Sequence, residues 1–139
     1  MTKKYELATG EKLYKEGGAT QIKSMMNVTQ GHVYLTSERL VFCSKGILAA
    51  IFGPVVALFY KPTKITHEIK LRDIATVTKE KHGLVSKYVF RTTTGEPFSL
   101  QFTLGSDKWI EAIILGKKSC NVAVSTKQIG DMIEFIEAA

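Results

Sequence analysis

Apolar and polar positions alternate in short runs through the first hundred residues, and the spacing then changes to that of helices. Residues 31–36 and 39–44 are two β-rich runs separated by Ser37-Glu38, the pattern of a tightly turned hairpin. In the next run Ile65, His67, Ile69 and Leu71 share one face, while Lys64, Thr66, Glu68 and Lys70 share the other. Residues 74–79 form a further β-branched run. Tyr88, Phe90 and Thr92 alternate with Val89, Arg91 and Thr93, and Thr94-Gly95-Glu96 then turns the chain. Beyond Pro97, the residues Phe98, Leu100 and Phe102 make one apolar face. With a first strand placed over 20–28, about seven antiparallel strands are expected.

Ser106 then caps a predicted helix with Asp107 in its first turn, where a carboxylate is favourable. Trp109, Ile110, Ile113 and Ile114 form its apolar stripe, and Gly116-Lys117-Lys118 is the expected stop. Val122 and Val124 hint at one more short strand. Ser125 and Gln128 have capping-box spacing. Ile129, Met132, Ile133 and Ile136 follow at i, i+3, i+4 and i+7, predicting a final amphipathic helix over 126–137. Strands first and helices afterwards give an α+β fold, mostly β: an antiparallel barrel or sandwich whose first helix plugs an open end.

The chain has 139 residues, 45% of them hydrophobic and 23% charged, enough for one well-filled core and too apolar for wholesale disorder. Two cysteines make neither a disulfide framework nor a zinc site. The opening residues lack an apolar leader, so a cytoplasmic protein is expected, with peripheral membrane contact as an option. Net charge is +6, and it is concentrated. Residues 45–91 carry nine bases against three acids, whereas residues 92–139 carry four bases against six acids. Such asymmetry fits attraction to an anionic surface, or a solvated face that only keeps the protein soluble.

The segment 31–44, GHVYLTSERLVFCS, resembles the hairpin of GRAM domains, G-x-L-Y-L-T-x-x-R-L-V-F. Residues 69–74, IKLRDI, are similar to that family's I-P-L-x-D-I strand ending, and the strand at 95–102 followed by a helix bearing Trp109 is similar to its close. The resemblance covers about 11–117. It implies a pleckstrin-homology-like (PH-like) fold, a seven-stranded bent barrel capped by one C-terminal helix, and a non-enzymatic domain that contacts membrane lipids or proteins. Residues 119–139, with the extra terminal helix, fall outside the pattern within a single domain spanning 1–139. Pleckstrin-type headgroup sites carry a basic motif over the first two strands, whereas Lys23 is the one Lys or Arg between Thr20 and Arg39 here.

Two features carry the functional expectation. Residues 47–60, ILAAIFGPVVALFY, are uncharged and flanked by Lys45, Lys61 and Lys64. As a helix they would reach only ~21 Å, short of a membrane's hydrocarbon core, and Gly53-Pro54 would break it. Three readings are open: a shallow membrane-dipping loop, a cover or homo-oligomer surface, or a buried strand pair. In the first two, Ile51, Phe52, Val55, Leu58 and Phe59 make the contact. The second feature is the cationic set formed by a loop at Lys79, Lys81 and His82 with Lys87 and Arg91 on the following strand. Together with Lys61 and Lys64 it is the candidate lipid- or anion-binding surface, the alternative being a solvated loop tip.

Other chemistry has little support. His32, His67 and His82 lie in separate elements, and His67 reads as a hydrogen-bonded core residue. Cys43 reads as a buried, inert thiol, and Lys117 and Lys118 would lower the pKa of Cys120 somewhat without making it reactive. No phosphate loop, nucleophile elbow, HExxH or paired-carboxylate motif appears, so neither catalysis nor a cofactor is expected. The outward cations interleave no aromatics for base stacking, which disfavours nucleic acid. The expected partner is an anionic phospholipid surface, with a protein partner or a second copy of the chain as the competitor.

Overall fold

The computed structural model describes residues 6–24, 27–44, 65–82, 85–94, 97–120 and 124–137. Among the described residues nine strands build one antiparallel sheet: β1 (Leu13–Ser24), β2 (Asn27–Thr36), β3 (Arg39–Ser44), β4 (Ile65–Lys70), β5 (Ile74–His82), β6 (Val85–Thr92), β7 (Pro97–Phe102), β8 (Val124–Ile129) and β9 (Met132–Glu137). A 3-10 turn, Leu71–Asp73, links β4 to β5, and one α-helix, α1 (Ser106–Cys120), follows β7. Strand order is β4-β3-β2-β1-β7-β6-β5-β9-β8. The main core draws Val33, Leu35, Leu40 and Phe42 from one half of this order and Phe90, Phe98, Leu100 and Phe102 from the other, and Tyr34, Val41, Cys43 and Ile65 form a second buried cluster. The sheet is therefore bent around its own inner face, and β1 to β7 plus α1 supply the strands and capping helix that the sequence motifs imply.

Alternation explains most of these strands. Phe98, Leu100 and Phe102 are buried while Ser99 and Gln101 are not, as a half-buried strand requires. The first strand expected over 20–28 is divided between two strands: β1 begins earlier, at Leu13, and ends at Ser24, and Asn27 and Val28 already belong to β2, because the register of β1 rests on partners rather than on apolar content. β1 pairs with β2 along its length and with β7 through Ala19, Thr20 and Gln21.

The terminal helix expected over 126–137 is instead the hairpin β8–β9. Gly130 adopts φ +58° between Ile129 and Met132, which pair across a two-residue turn. Glycine at the first turn position is what a type II′ hairpin needs, and the flanking Val, Thr, Ile and Phe residues favour strands. The apolar set that fits a helical stripe splits in two. Phe135 faces the core with Val77's partner Ile133, while Ile129 and Ile136 remain exposed. Ser125 and Gln128 accordingly lie within β8 and cap no helix.

Helix α1 also runs past its expected stop at Gly116 to Cys120. Its buried stripe is Trp109, Ile110, Ile113, Gly116 and Lys117. The Trp109 ring stacks on Phe102 at 4.9 Å and 10°. Gly116 is kept small by Leu71, which a Cβ there would meet at 3.0 Å. Lys117, 2% exposed, donates from Nζ to the carbonyls of Leu71 (3.1 Å) and Arg72 (2.9 Å) and lies 5.4 Å above the Phe135 ring. The residue thus ties helix, 3-10 turn and terminal hairpin together. Lys117→Met keeps the stem but strips two carbonyls of their donor, a cost of about 2 kcal/mol. A melting temperature lower by about 5–10 °C, with faster amide exchange in β9, is expected; one within about 2 °C of wild type would contradict this role.

Candidate functional site

The register sorts the barrel's connections by end. Ile22 pairs with Val28, Gln21 with Leu100, Arg91 with Pro97 and Cys43 with Ile65. The β1–β2, β3–β4 and β6–β7 connections therefore leave from one end, and the β5–β6 connection from the other. At the first end Lys23 and Arg91 are exposed. The segment 45–64, which holds Lys61, Lys64 and the contact candidates Ile51, Phe52, Val55, Leu58 and Phe59, lies outside the described residues. The strand ends that bound it, Ser44 and Ile65, belong to this same end.

The remaining cations of the expected surface do not form one patch. Residues 79–82 continue β5 rather than making a loop. Lys79 pairs with Tyr88 and Lys81 with Ser86, on the face that carries Val77 and Phe90 inward; Lys87 pairs with Glu80 and Arg91 with Thr76, on the opposite face. His82 pairs with Val85 at the last rung. Lys87 therefore faces a carboxylate across the strand pair, and it lies near the far end from Arg91. Lys79 lines a cleft with Asp107, Glu111 and Asp131, so its charge is opposed locally as well.

Sequence reading missed a polar network on the outer face of β2 and β3. Glu11, whose side chain is fully buried, accepts from the Thr36 hydroxyl, from Arg39 Nε at 2.9 Å and from Arg39 Nη2 at 3.2 Å. Arg39 Nη1 reaches Glu68 at 3.3 Å. Burial raises the Glu11 carboxyl, but hydrogen bonds from Arg39, Thr36 and the Ala8 amide outweigh it and hold the group below its ordinary value of 4.5. Arg39 is raised in return, chiefly by its bond to Glu11. The only sequence signal was Arg39 itself, inside the hairpin motif. Its partner Glu11 is 28 residues away, and charge spacing does not reach so far.

His67 stacks on Phe98 at 4.0 Å and lines a cavity of about 380 Å³ with Lys70, Asp73 and Thr92, along the seam between β4 and the start of β5. It is only half-buried. Cys43 is buried and burial pushes its thiol up to about 11. Cys120 departs from expectation. Desolvation raises its pKa, outweighing the pull of Arg72 and Lys117, and its Sγ donates to the Ser37 carbonyl at 3.1 Å. Among the described residues no group of His, Cys, Asp and Glu is placed to hold a metal ion, and no helix is long and apolar enough to cross a membrane.

No protein-family model matches the chain, and no curated protein matches it in sequence. Solved structures do match in shape. The C-terminal domain of an unknown protein from Leishmania infantum aligns with TM-score 0.56 at 15% identity, over 78% of this chain and 86% of that one. A truncated linker-DH/PH fragment of p115-RhoGEF aligns at 0.57 and 15% identity over 81% of this chain. The DH/PH fragment of PDZRHOGEF, solved in complex with human RhoA, aligns at 0.54 and 17% over 79%. This chain spans 30% of the length of each exchange-factor chain. Strand order, the helix that follows β7 and these alignments agree on one architecture: the chain has a PH-like fold.

Proposed function

We propose that this protein is a non-enzymatic, GRAM-like binding module that attaches reversibly to anionic membrane on the cytoplasmic side. The attachment is through the barrel end from which the β3–β4 segment leaves. The observation that carries the reading is the register: it brings Lys23 and Arg91 to the end where the strands bounding the apolar, lysine-flanked segment 45–64 also finish. Cations on that end add salt-screened attraction, roughly 1 kcal/mol each near an anionic surface. Apolar side chains of the segment add burial at about 25 cal/mol per Å². Neither term alone anchors a protein firmly.

The register makes this reading sharper than charge composition does. Screening at physiological salt acts over about 8 Å, so cations at the far end contribute little. Lys23→Glu with Arg91→Glu is expected to cut sedimentation with phosphatidylserine vesicles by about fivefold or more, given two reversed charges at the lipid face. Lys79→Glu with Lys81→Glu makes the same change in net charge at the other end and is expected to cost less than about twofold. Equal losses in both pairs would mean that total charge, not this face, drives binding.

A protein-binding reading has its own support. Among the described residues β4 and β8 end the strand order without an outer neighbour, and an open edge accepts an added strand. The two readings separate on vesicles alone, since edge pairing needs no lipid.

A further inference from the structure

The terminal hairpin is an addition to a barrel that β1 to β7 and α1 already form. β9 enters the strand order between β5 and β8, and so fills the edge of β5 beside α1. Three register pairs hold it there, Thr76 with Glu134, Val77 with Ile133 and Thr78 with Met132, against eight between β5 and β6. The Lys79 amide adds a bond to the Asp131 carbonyl at 2.9 Å. Two side chains of β9 reach inward. Phe135, 8% exposed, enters the core with Lys117 Nζ 5.4 Å above its ring, and Ile133 packs against the same core two positions earlier.

The rest of the hairpin is loosely seated. Val124 is buried, but residues 125–129 of β8 are exposed, as is Ile136. A cleft of about 280 Å³ separates the β8–β9 turn from the first turns of α1, with Asp107 and Glu111 on the helix side and Asp131 on the turn. Lys79 is the one cation of that lining, so the carboxylates repel across the cleft more than they attract. An element held in this way opens by local unfolding before the whole domain does. The main-chain bonds offered by the β5 edge are indifferent to sequence, and selectivity lies in the alternate side chains that face inward. An aliphatic residue and an aromatic two positions on supply what Ile133 and Phe135 supply, and Lys117 favours the aromatic through its ring face.

We propose that β9 is the built-in occupant of a strand-binding groove between β5 and α1, and that an extended segment of a protein partner, with an aliphatic residue and an aromatic two positions on, takes its place. The tether gives β9 an effective concentration of about a millimolar, so the free groove is exposed only in part and the hairpin sets the threshold for binding. The site is independent of the membrane reading, and either can fail without the other.

The test uses the full-length, isotope-labelled protein, as wild type and as Phe135→Ala, and an end-capped peptide copying residues 131–137. In the wild type, amides of β8 and β9 are expected to exchange at least about tenfold faster than those paired between β5 and β6. In Phe135→Ala the peptide should give saturable amide shifts around residues 76–79 and 117, and a peptide with alanine in place of its phenylalanine should give none. Wild type should bind the peptide at least about tenfold more weakly, because its own strand competes. Equal exchange rates in the hairpin and in β5–β6 would overturn the proposal, by showing that the hairpin opens only when the domain unfolds. So would a collapsed Phe135→Ala spectrum, since the barrel must stand with the groove empty. Peptide binding that is absent from Phe135→Ala, or equal in both proteins, would overturn it as well. Dimerisation of Phe135→Ala in place of peptide binding would assign the groove to a second copy of the chain instead.

Discussion

Replacing Gly31 with alanine is expected to destabilise the protein severely. Gly31 sits in β2 between Ala19 of β1 and Ser44 of β3, and a Cβ there would collide with the Cys43 carbonyl and lie 2.6 Å from Phe42 Cζ. Neither neighbour can yield cheaply. The carbonyl belongs to the β2–β3 ladder, and the Phe42 ring is fully buried in the core. Overpacking ordinarily costs about 1–3 kcal/mol; a backbone collision places this one at roughly 3–5 kcal/mol. Domains hold only about 5–15 kcal/mol in all, so a large part of the stability goes. Denaturant unfolding at 25 °C reads it directly. Gly17→Ala is the milder comparator, because a Cβ there meets only the edge of Trp109 at 3.3 Å. A Gly31→Ala protein as stable as the Gly17→Ala protein would show that the strands can part at that point.

Arg39→Met should cost about 3–5 kcal/mol at pH 7, because it leaves the Glu11 carboxylate buried without its cation. The pH dependence distinguishes this cause from simple loss of packing. In the wild type the Glu11 carboxyl is held below its ordinary value of 4.5. Its ionised form therefore stabilises the fold above that pH, and the contribution is lost as pH falls through the folded value. Without Arg39 that contribution shrinks. Burial is then opposed only by the Thr36 and Ala8 hydrogen bonds, so the Glu11 carboxyl rises relative to the wild type and the penalty of the substitution falls on acidification. Urea midpoints at pH 7 and pH 4 test this, with Glu11→Gln added to Arg39→Met. The double variant is expected to recover a large share of the loss at pH 7 and to show little pH dependence of the difference. A single-variant penalty equal at both pH values would assign the effect to packing instead.

The fold was legible where a run is bounded by turns or keeps a period. Residues 31–36 and 39–44 are β-rich runs buried on both faces, 97–102 alternates, and Trp109, Ile110 and Ile113 keep a helical stripe, so those elements follow from the sequence directly. The terminal hairpin was not legible, because the spacing of Ile129, Met132, Ile133 and Ile136 satisfies a helix as well as two short strands. The Gly130-Asp131 turn was the deciding signal. β1 was only partly visible, since Glu16, Gly17 and Gly18 are weak strand formers held in register by β2.

The binding surfaces were less legible still. A run of cations in sequence becomes two faces and two ends once the strands pair, so density along the chain overstated the clustering of Lys79, Lys81, Lys87 and Arg91. Lys117 carried no warning at all: a lysine near a helix C-terminus reads as a solvated cation, and only the 3-10 turn beneath it makes it a buried donor. The groove that β9 fills likewise joins residues from β5, α1 and β9 that are distant in sequence. Such sites belong to topology more than to local pattern.

Sedimentation with vesicles of neutral or anionic phospholipid, at about 0.05 and 0.5 M salt, tests the central claim most directly, since those concentrations bracket the roughly 10 Å screening length of 0.1 M. The protein is expected to pellet with phosphatidylserine vesicles at low salt, to release as salt rises, and to ignore neutral vesicles. Absence of binding to anionic vesicles at low salt would contradict the membrane role and leave protein recognition as the function of the fold.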